Sequence, residues 1–168
     1  MTEGARLTVY KNEFWTVEAR AEDKKTHYSI RNQDAVLIIP LIDTTNVLMV
    51  QHWRHVHERY ILEFPGGGID VGEDPFHAAQ RELLEETGNL AERFEHVCTL
   101  RPAPALTTEV CHIFVAEQLK RVGVAESEEG IVCVELSRQL IFDELVSNGA
   151  DAMALAAWSV FFRHRTHS

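Results

Sequence analysis

Residues 81–88 read Arg-Glu-Leu-Leu-Glu-Glu-Thr-Gly, which sets three carboxylates, Glu82, Glu85 and Glu86, at positions i, i+3 and i+4. On a helix such positions meet face to face, and each like-charge contact costs a few tenths of a kcal/mol. Gly88 reads as the residue just past the helix end, so Glu85 and Glu86 fall in the last turn, beside the negative pole of the macrodipole. Arg81, four residues before Glu85, offers one positive charge against three negative ones. The ordinary explanation of such a run is a solvated acidic face. The residues upstream, "EFPGGGIDVGEDP" (63–75), argue for more, because they bring three successive glycines and Glu73 to the start of the same helix. Glycine lets backbone approach a ligand closely, and hard oxygen donors gathered in one place suit Mg²⁺ or Mn²⁺. Two familiar phosphate cradles fail here. No Lys follows the glycines as a P-loop requires, and G-x-G-x-x-G counted from Gly66 ends on Val71.

The elements that must position these groups are legible in the hydrophobic pattern. Short β-branched and apolar runs at 6–10, 14–21 and 26–31 read as strands with partial alternation. The runs 35–42 and 46–51 are apolar almost throughout, as strands buried on both faces are. A sixth strand, 59–64, ends at Pro65 and the glycines, which read as a loop. The period then changes: Asp74 suits an N-cap, Pro75 the first helical position, and Phe76, Ala79 and Leu83 share one face with Leu84 at its margin. The glutamates lie on another face. Strands follow at 94–100, 110–117 and 131–136, then helices near 139–148 and 151–165, with Gly149 as a cap between them. The expectation is an α/β fold, a mixed sheet flanked by helices, in one domain spanning 1–168.

Composition bounds the partners. Sixteen Lys and Arg against 26 Asp and Glu give a formal net charge of −10, which disfavours a nucleic-acid surface. An anionic small molecule is still compatible, provided cations mediate the contact. No apolar run approaches the roughly 18 residues of a membrane span, and the N-terminal residues lack a basic-then-apolar leader. Cys98, Cys111 and Cys133 sit in apolar runs without a C-x-x-C pair, which predicts buried, reduced thiols in a cytoplasmic protein.

The string "GGIDVGEDPFHAAQRELLEETGN" (67–89) resembles the Nudix box: Gly, five residues, Glu, seven residues, Arg-Glu-apolar-x-Glu-Glu-x-Gly-apolar. Gly67, Glu73, Arg81, Glu82, Leu83, Glu85, Glu86 and Gly88 match, while Asn89 departs at the last, apolar position. Outside the box, "QHWRHVHERYILEFPGG", "RPAPALTTE" and "ESEEGIVCVEL" resemble segments of the ADP-ribose and nucleotide-sugar pyrophosphatases. That likeness implies a Nudix-type α/β/α sandwich with an N-terminal strand extension (1–33). It implies metal-dependent hydrolysis of a nucleoside diphosphate derivative to a nucleoside monophosphate and a sugar phosphate. It also implies a site: Glu82 and Glu86 as principal metal ligands, Glu85 assisting, the Gly66 carbonyl completing the set, and Arg81 orienting Glu85.

Other assignments are more open. The water-activating base is sought among Glu126, Glu128 and Glu129, with Glu109 as an outsider; Glu126 and Glu128 share one side of an extended loop. Arg54 faces either a diphosphate or a structural carboxylate. Trp15, Trp53 and Tyr28 are candidates for base stacking, with Trp15 placed beside Arg54 and Glu109 in the substrate-binding set, and the N-terminal strands are candidates for a homodimer contact. His52, His55 and His57 lack the spacing of a zinc site. Two other functions compete: a house-cleaning nucleoside triphosphate pyrophosphohydrolase, against which the long stretch before the box argues, and a non-catalytic nucleotide sensor, which the complete set of box glutamates disfavours.

Overall fold

A computed structural model describes residues 6–23, 25–123, 130–147 and 151–166. Along the chain run β1 (Arg6–Lys11), β2 (Trp15–Glu22), β3 (Lys25–Asn32), β4 (Ala35–Pro40), β5 (Asn46–Arg54), β6 (Arg59–Glu63) and β7 (Gly66–Gly68). Then come α1 (Pro75–Thr87), β8 (Asn89–Leu100), β9 (Cys111–Arg121), β10 (Ile131–Ser137), α2 (Ile141–Ser147) and α3 (Ala152–Thr166). The fold class is α/β, as expected.

β4 organises the molecule because its residues are apolar on both faces. It pairs parallel with β9 and antiparallel with β7, and β8 closes the far side of β9, giving a mixed sheet of order β7-β4-β9-β8. Successive side chains of a strand point to opposite faces. Val36 and Ile38 therefore join Phe114, Ala116 and the helix residues Ala78, Ala79 and Leu83 in one apolar cluster. Leu37 and Ile39 join Ile113, Val115, Met49 and the buried Trp158 and Phe161 of α3 in the other. One layer is thus α1, the other α2 and α3 with a second sheet, β10-β5-β6. A third sheet, β1-β2-β3, holds the N-terminal residues.

Several local expectations are corrected. The glycine run is a strand, not a loop: Gly66–Gly68 pairs with Ala35–Leu37, and a Cβ on Gly66 would come within 2.2 Å of the Val36 carbonyl oxygen. On α1 it is Ala78, with Ala79 and Leu83, that is buried, whereas Phe76 is exposed, as is Leu84 at the margin of that face. β8 starts at Asn89, well before residue 94, since cross-strand pairing to β9 carries a polar stretch that the apolar pattern does not mark. Of the three free thiols only Cys111 is buried; Cys98 is partly covered and Cys133 is exposed on β10. Burial pushes the Cys111 thiol up to about 12. Gly149 lies outside the described residues. Asp151 caps the start of α3, accepting from the amides of Met153 (3.1 Å) and Ala154 (2.8 Å).

Candidate active site

The glutamate cluster is aimed by the caps and the packing of α1. Asp74 accepts from the Phe76 amide at 2.9 Å, Pro75 takes the first turn, and Gly88 at φ 69° ends the helix with its N–H on the Leu84 carbonyl at 2.8 Å. With Ala78, Ala79 and Leu83 fixed against the sheet, Glu82 and Glu86, one turn apart, fall against β7. Both are only 9% exposed. The Gly66 amide donates to Glu86 Oε2 at 3.0 Å. The Glu82 carboxylate fills the space beside Gly67, where a Cβ would meet Oε1 at 2.5 Å. The glycines are therefore required: they let two carboxylates lie directly on a sheet edge.

Arg81 gathers the neighbouring oxygens. Its Nε and Nη2 donate to the two oxygens of Glu73 at 3.1 and 2.9 Å. Nη1 donates to Glu82 at 2.7 Å and to Glu85 at 3.2 Å, and Nη2 also reaches the Gly68 carbonyl at 2.9 Å. Its chief partner is Glu73, not the expected Glu85, because only Glu73 meets the planar guanidinium with both oxygens. The Arg81 hydrogen bond holds Glu73 below the usual carboxylate range. Burial instead pushes Glu82 up in spite of Arg81, and pushes Glu86, which no guanidinium touches, up to about 8.

A cavity of about 380 Å³ opens over this cluster, lined by Glu82, Glu85, Glu86, Gly66, Gly67 and Arg54. A larger one, about 920 Å³, shares Arg54, Gly66 and Gly67 and runs on past Trp53, Arg59 and Glu109. The structure thus brings Gly66, Arg81, Glu82, Glu85, Glu86, Arg54 and Glu109 into one region. Arg54 makes a two-pronged ion pair with Glu63, with Nε to Oε1 at 2.8 Å, so its structural role is realised at the cavity wall. Trp15 lines neither cavity; it is exposed on β2. Glu126, Glu128 and Glu129 lie outside the described residues. Asn32 escaped sequence reasoning, yet its amide reaches Glu109 at 2.6 Å. No local pattern marks a contact spanning 77 positions.

Do these residues suit a divalent cation? Among the described residues no three His, Cys, Asp or Glu side chains converge as they do around a bound ion, and His52, His55 and His57 form no such group. Arg81 and the Gly66 amide engage the glutamate oxygens instead. The donor set nonetheless fits. Glu82 and Glu86 are hard, buried carboxylates at one cavity wall, and burial disfavours the charge on Glu86 until a cation offsets it.

The NUDIX domain pattern matches residues 31–146. The chain belongs to the Nudix family. Among curated Nudix relatives, an ADP-ribose pyrophosphatase of Mycobacterium tuberculosis is 33% identical over 144 residues, 80% of this chain and 70% of that one. An ADP-ribose pyrophosphatase of Bacillus subtilis is 34% identical over 90 residues; the match takes in 54% of this chain and 49% of its relative, about half its length. A solved structure described as an ADP compounds hydrolase superposes with a TM-score of 0.80 over 99% of this chain and 96% of that chain, at 23% identity, which establishes the shared Nudix fold.

Proposed function

We propose that this Nudix protein hydrolyses the pyrophosphate bond of a nucleoside diphosphate joined to a sugar, ADP-ribose being the first substrate to try. Water attacks one phosphorus, the bridging P–O bond breaks, and a nucleoside monophosphate and a sugar phosphate leave. The observation that carries this reading is the pair of buried carboxylates, Glu82 and Glu86, laid on the glycine strand in the wall of the smaller cavity, which shares Arg54, Gly66 and Gly67 with the larger one. The names of the relatives supply the substrate class.

Glu82, Glu86 and Glu85, with the Gly66 carbonyl, would hold Mg²⁺ or Mn²⁺. Such a cation supplies positive charge to the phosphate oxygens and to the attacking water. The chain's own contribution is placement. Arg81 ties Glu73, Glu82 and Glu85 into one rigid fan, and the Gly66 amide fixes Glu86, so little reorganisation remains when substrate arrives. The proton of the attacking water is assigned to Glu126 or Glu128, on the strength of their sequence position before β10. The remaining assignments are a single domain with an N-terminal extension, a homodimer and a cytoplasmic location. The family match beginning at residue 31 supports the first, the apolar face of the N-terminal sheet the second, and three unpaired thiols the third.

The test is phosphate release from a panel of ADP-ribose, nucleotide sugars and nucleoside triphosphates, with and without chelator. Turnover of diphosphate derivatives that EDTA abolishes and Mg²⁺ restores is the expected result. A higher kcat/KM on triphosphates than on every diphosphate derivative would replace this reading with triphosphate pyrophosphohydrolysis.

A further inference from the structure

The segment carrying Glu109 is fastened to the N-terminal sheet twice. On the backbone, the Ile30 amide donates to the Leu106 carbonyl at 2.8 Å and the Thr108 amide donates to the Ile30 carbonyl at 3.1 Å. Next to this, three residues close a ring. The Thr107 hydroxyl donates to Asn32 Oδ1, Asn32 Nδ2 donates to Glu109 Oε2 at 2.6 Å, and the Glu109 amide donates to Thr107 Oγ1 at 3.1 Å. The amide of Asn32 has one chemically sensible orientation here. A carboxylate only accepts, so the nitrogen must face Glu109, which leaves the oxygen for the hydroxyl.

Glu109 also lines the larger cavity. Its second oxygen, Oε1, accepts no hydrogen bond among the described residues. An anionic acceptor in a cavity that receives a diphosphate is repelled by the phosphates and suited to hydroxyl donors, of which a sugar has several. A free glutamate side chain would sample several rotamers before meeting such a hydroxyl, and holding one oxygen removes that freedom in advance.

We propose that Asn32 is a positioning residue: it holds one oxygen of Glu109 so that the other receives a sugar hydroxyl of the substrate. The role rests on the sugar-diphosphate reading given above. It ties substrate recognition to the last residue of β3, so the N-terminal sheet acts on the cavity without touching the substrate. The strands bring the exposed Trp15 opposite Asn32 in register, which places the rim of this sheet next to the clasp.

Four variants test the role, with kcat and KM measured separately on ADP-ribose alongside melting temperature. Asn32→Asp keeps the shape but sets two carboxylates against each other. It should lower kcat/KM by roughly ten- to a hundredfold, the scale of one lost charged hydrogen bond, mainly through KM. That deficit, taken as a ratio to the unsubstituted protein, should shrink as pH falls and the facing carboxylates share a proton. Asn32→Ala, which adds no charge, should raise KM without this acid recovery. Glu109→Gln should raise KM by itself. The exchanged pair, Asn32→Asp with Glu109→Gln, restores a donor and an acceptor across the contact and leaves the Gln carbonyl oxygen facing the cavity, so it should recover the melting temperature and bring KM below that of either single variant. Wild-type KM in both Asn32 variants overturns the positioning role, and so does an exchanged pair that recovers the melting temperature while its KM stays as high as that of the single variants. Absence of turnover by the unsubstituted protein on every sugar diphosphate would instead bring down the proposed function, and the positioning role with it.

Discussion

Glu86 shows how a single residue can be both liability and tool. Its burial raises its affinity for a proton to a pKa of about 8 in the folded chain, against 4.5 for an ordinary glutamate. The folded, metal-free protein therefore binds this proton more tightly than the unfolded chain does. The stabilisation is fully present below about pH 4.5 and is lost as pH rises through about 8. Chelated protein should accordingly melt at a lower temperature at pH 8 than at pH 5. Glu86→Gln should flatten that slope, and added Mg²⁺ should raise the melting temperature more at the higher pH; a slope unchanged in the variant would refute the assignment. The same substitution should lower kcat by roughly 10²–10⁴, the scale of one lost electrostatic contact in the transition state. Arg81→Lys makes a different point. An ammonium cannot meet Glu73 with two parallel bonds while also reaching Glu82 and Gly68. Chemical denaturation should show a loss of about 2 kcal/mol, with kcat reduced because Glu82 and Glu85 lose their common anchor.

At the scale of elements, adjacent glycines should respond differently to one added methyl group. On Gly67 the Cβ would strike a carboxylate that can swing away, so Gly67→Ala should fold, displace Glu82 and weaken Mg²⁺ binding by calorimetry. On Gly66 the obstacle is the backbone of β4, so Gly66→Ala should disrupt the sheet and yield little soluble protein. Equal, wild-type behaviour of both variants would contradict the close approach of α1 to β7. This contrast also marks how far the sequence could be read. The period, caps and carboxylate spacing of α1 were all visible in residues 74–88, because they are local. The strand character of Gly66–Gly68 was not, because glycine carries no β propensity and pairing with β4 alone makes it a strand. The partnership of Arg81 with Glu73 was hidden for a related reason: a turn closed between Asp70 and Glu73 sets Glu73, which precedes the helix, within reach of Arg81, whereas spacing along α1 suggests Glu85. The link from Asn32 to Glu109 depends on tertiary contact alone.

At the scale of the whole molecule, the N-terminal sheet is two-faced. The register β1-β2-β3 places Leu7, Ala19 and Tyr28 in one row and Tyr10, Val17 and Ile30 in another on the same side. The opposite side carries Arg6, Glu18 and Arg31, joined by ion pairs of 3.6 and 3.0 Å. Leu7, Tyr10 and Tyr28 remain more than half exposed, an apolar surface of the kind that associates. A second copy of the chain is the expected occupant. Leu7→Glu combined with Tyr28→Glu should convert a sedimenting dimer to a monomer at micromolar concentration. A wild-type protein that already sediments as a monomer there would remove the homodimer.

The three indoles of the chain report on three different events. Trp158, 1% exposed between Phe64 and Phe161, can become wet only when the core opens. Trp53 stands edge-on to Tyr60 in the wall of the larger cavity, its backbone N–H on the Gly130 carbonyl at 3.1 Å. Trp15, 46% exposed, stands on the apolar side of the N-terminal sheet. Chains retaining one indole each, with Phe at the other two positions, would separate these events by emission colour. Denaturant should redden the first, a non-hydrolysed nucleotide should perturb the second, and dilution below the dissociation constant of the dimer should redden the third alone. With the proposed substrate and dimer, the three indoles would give separate optical readouts of folding, occupancy and assembly.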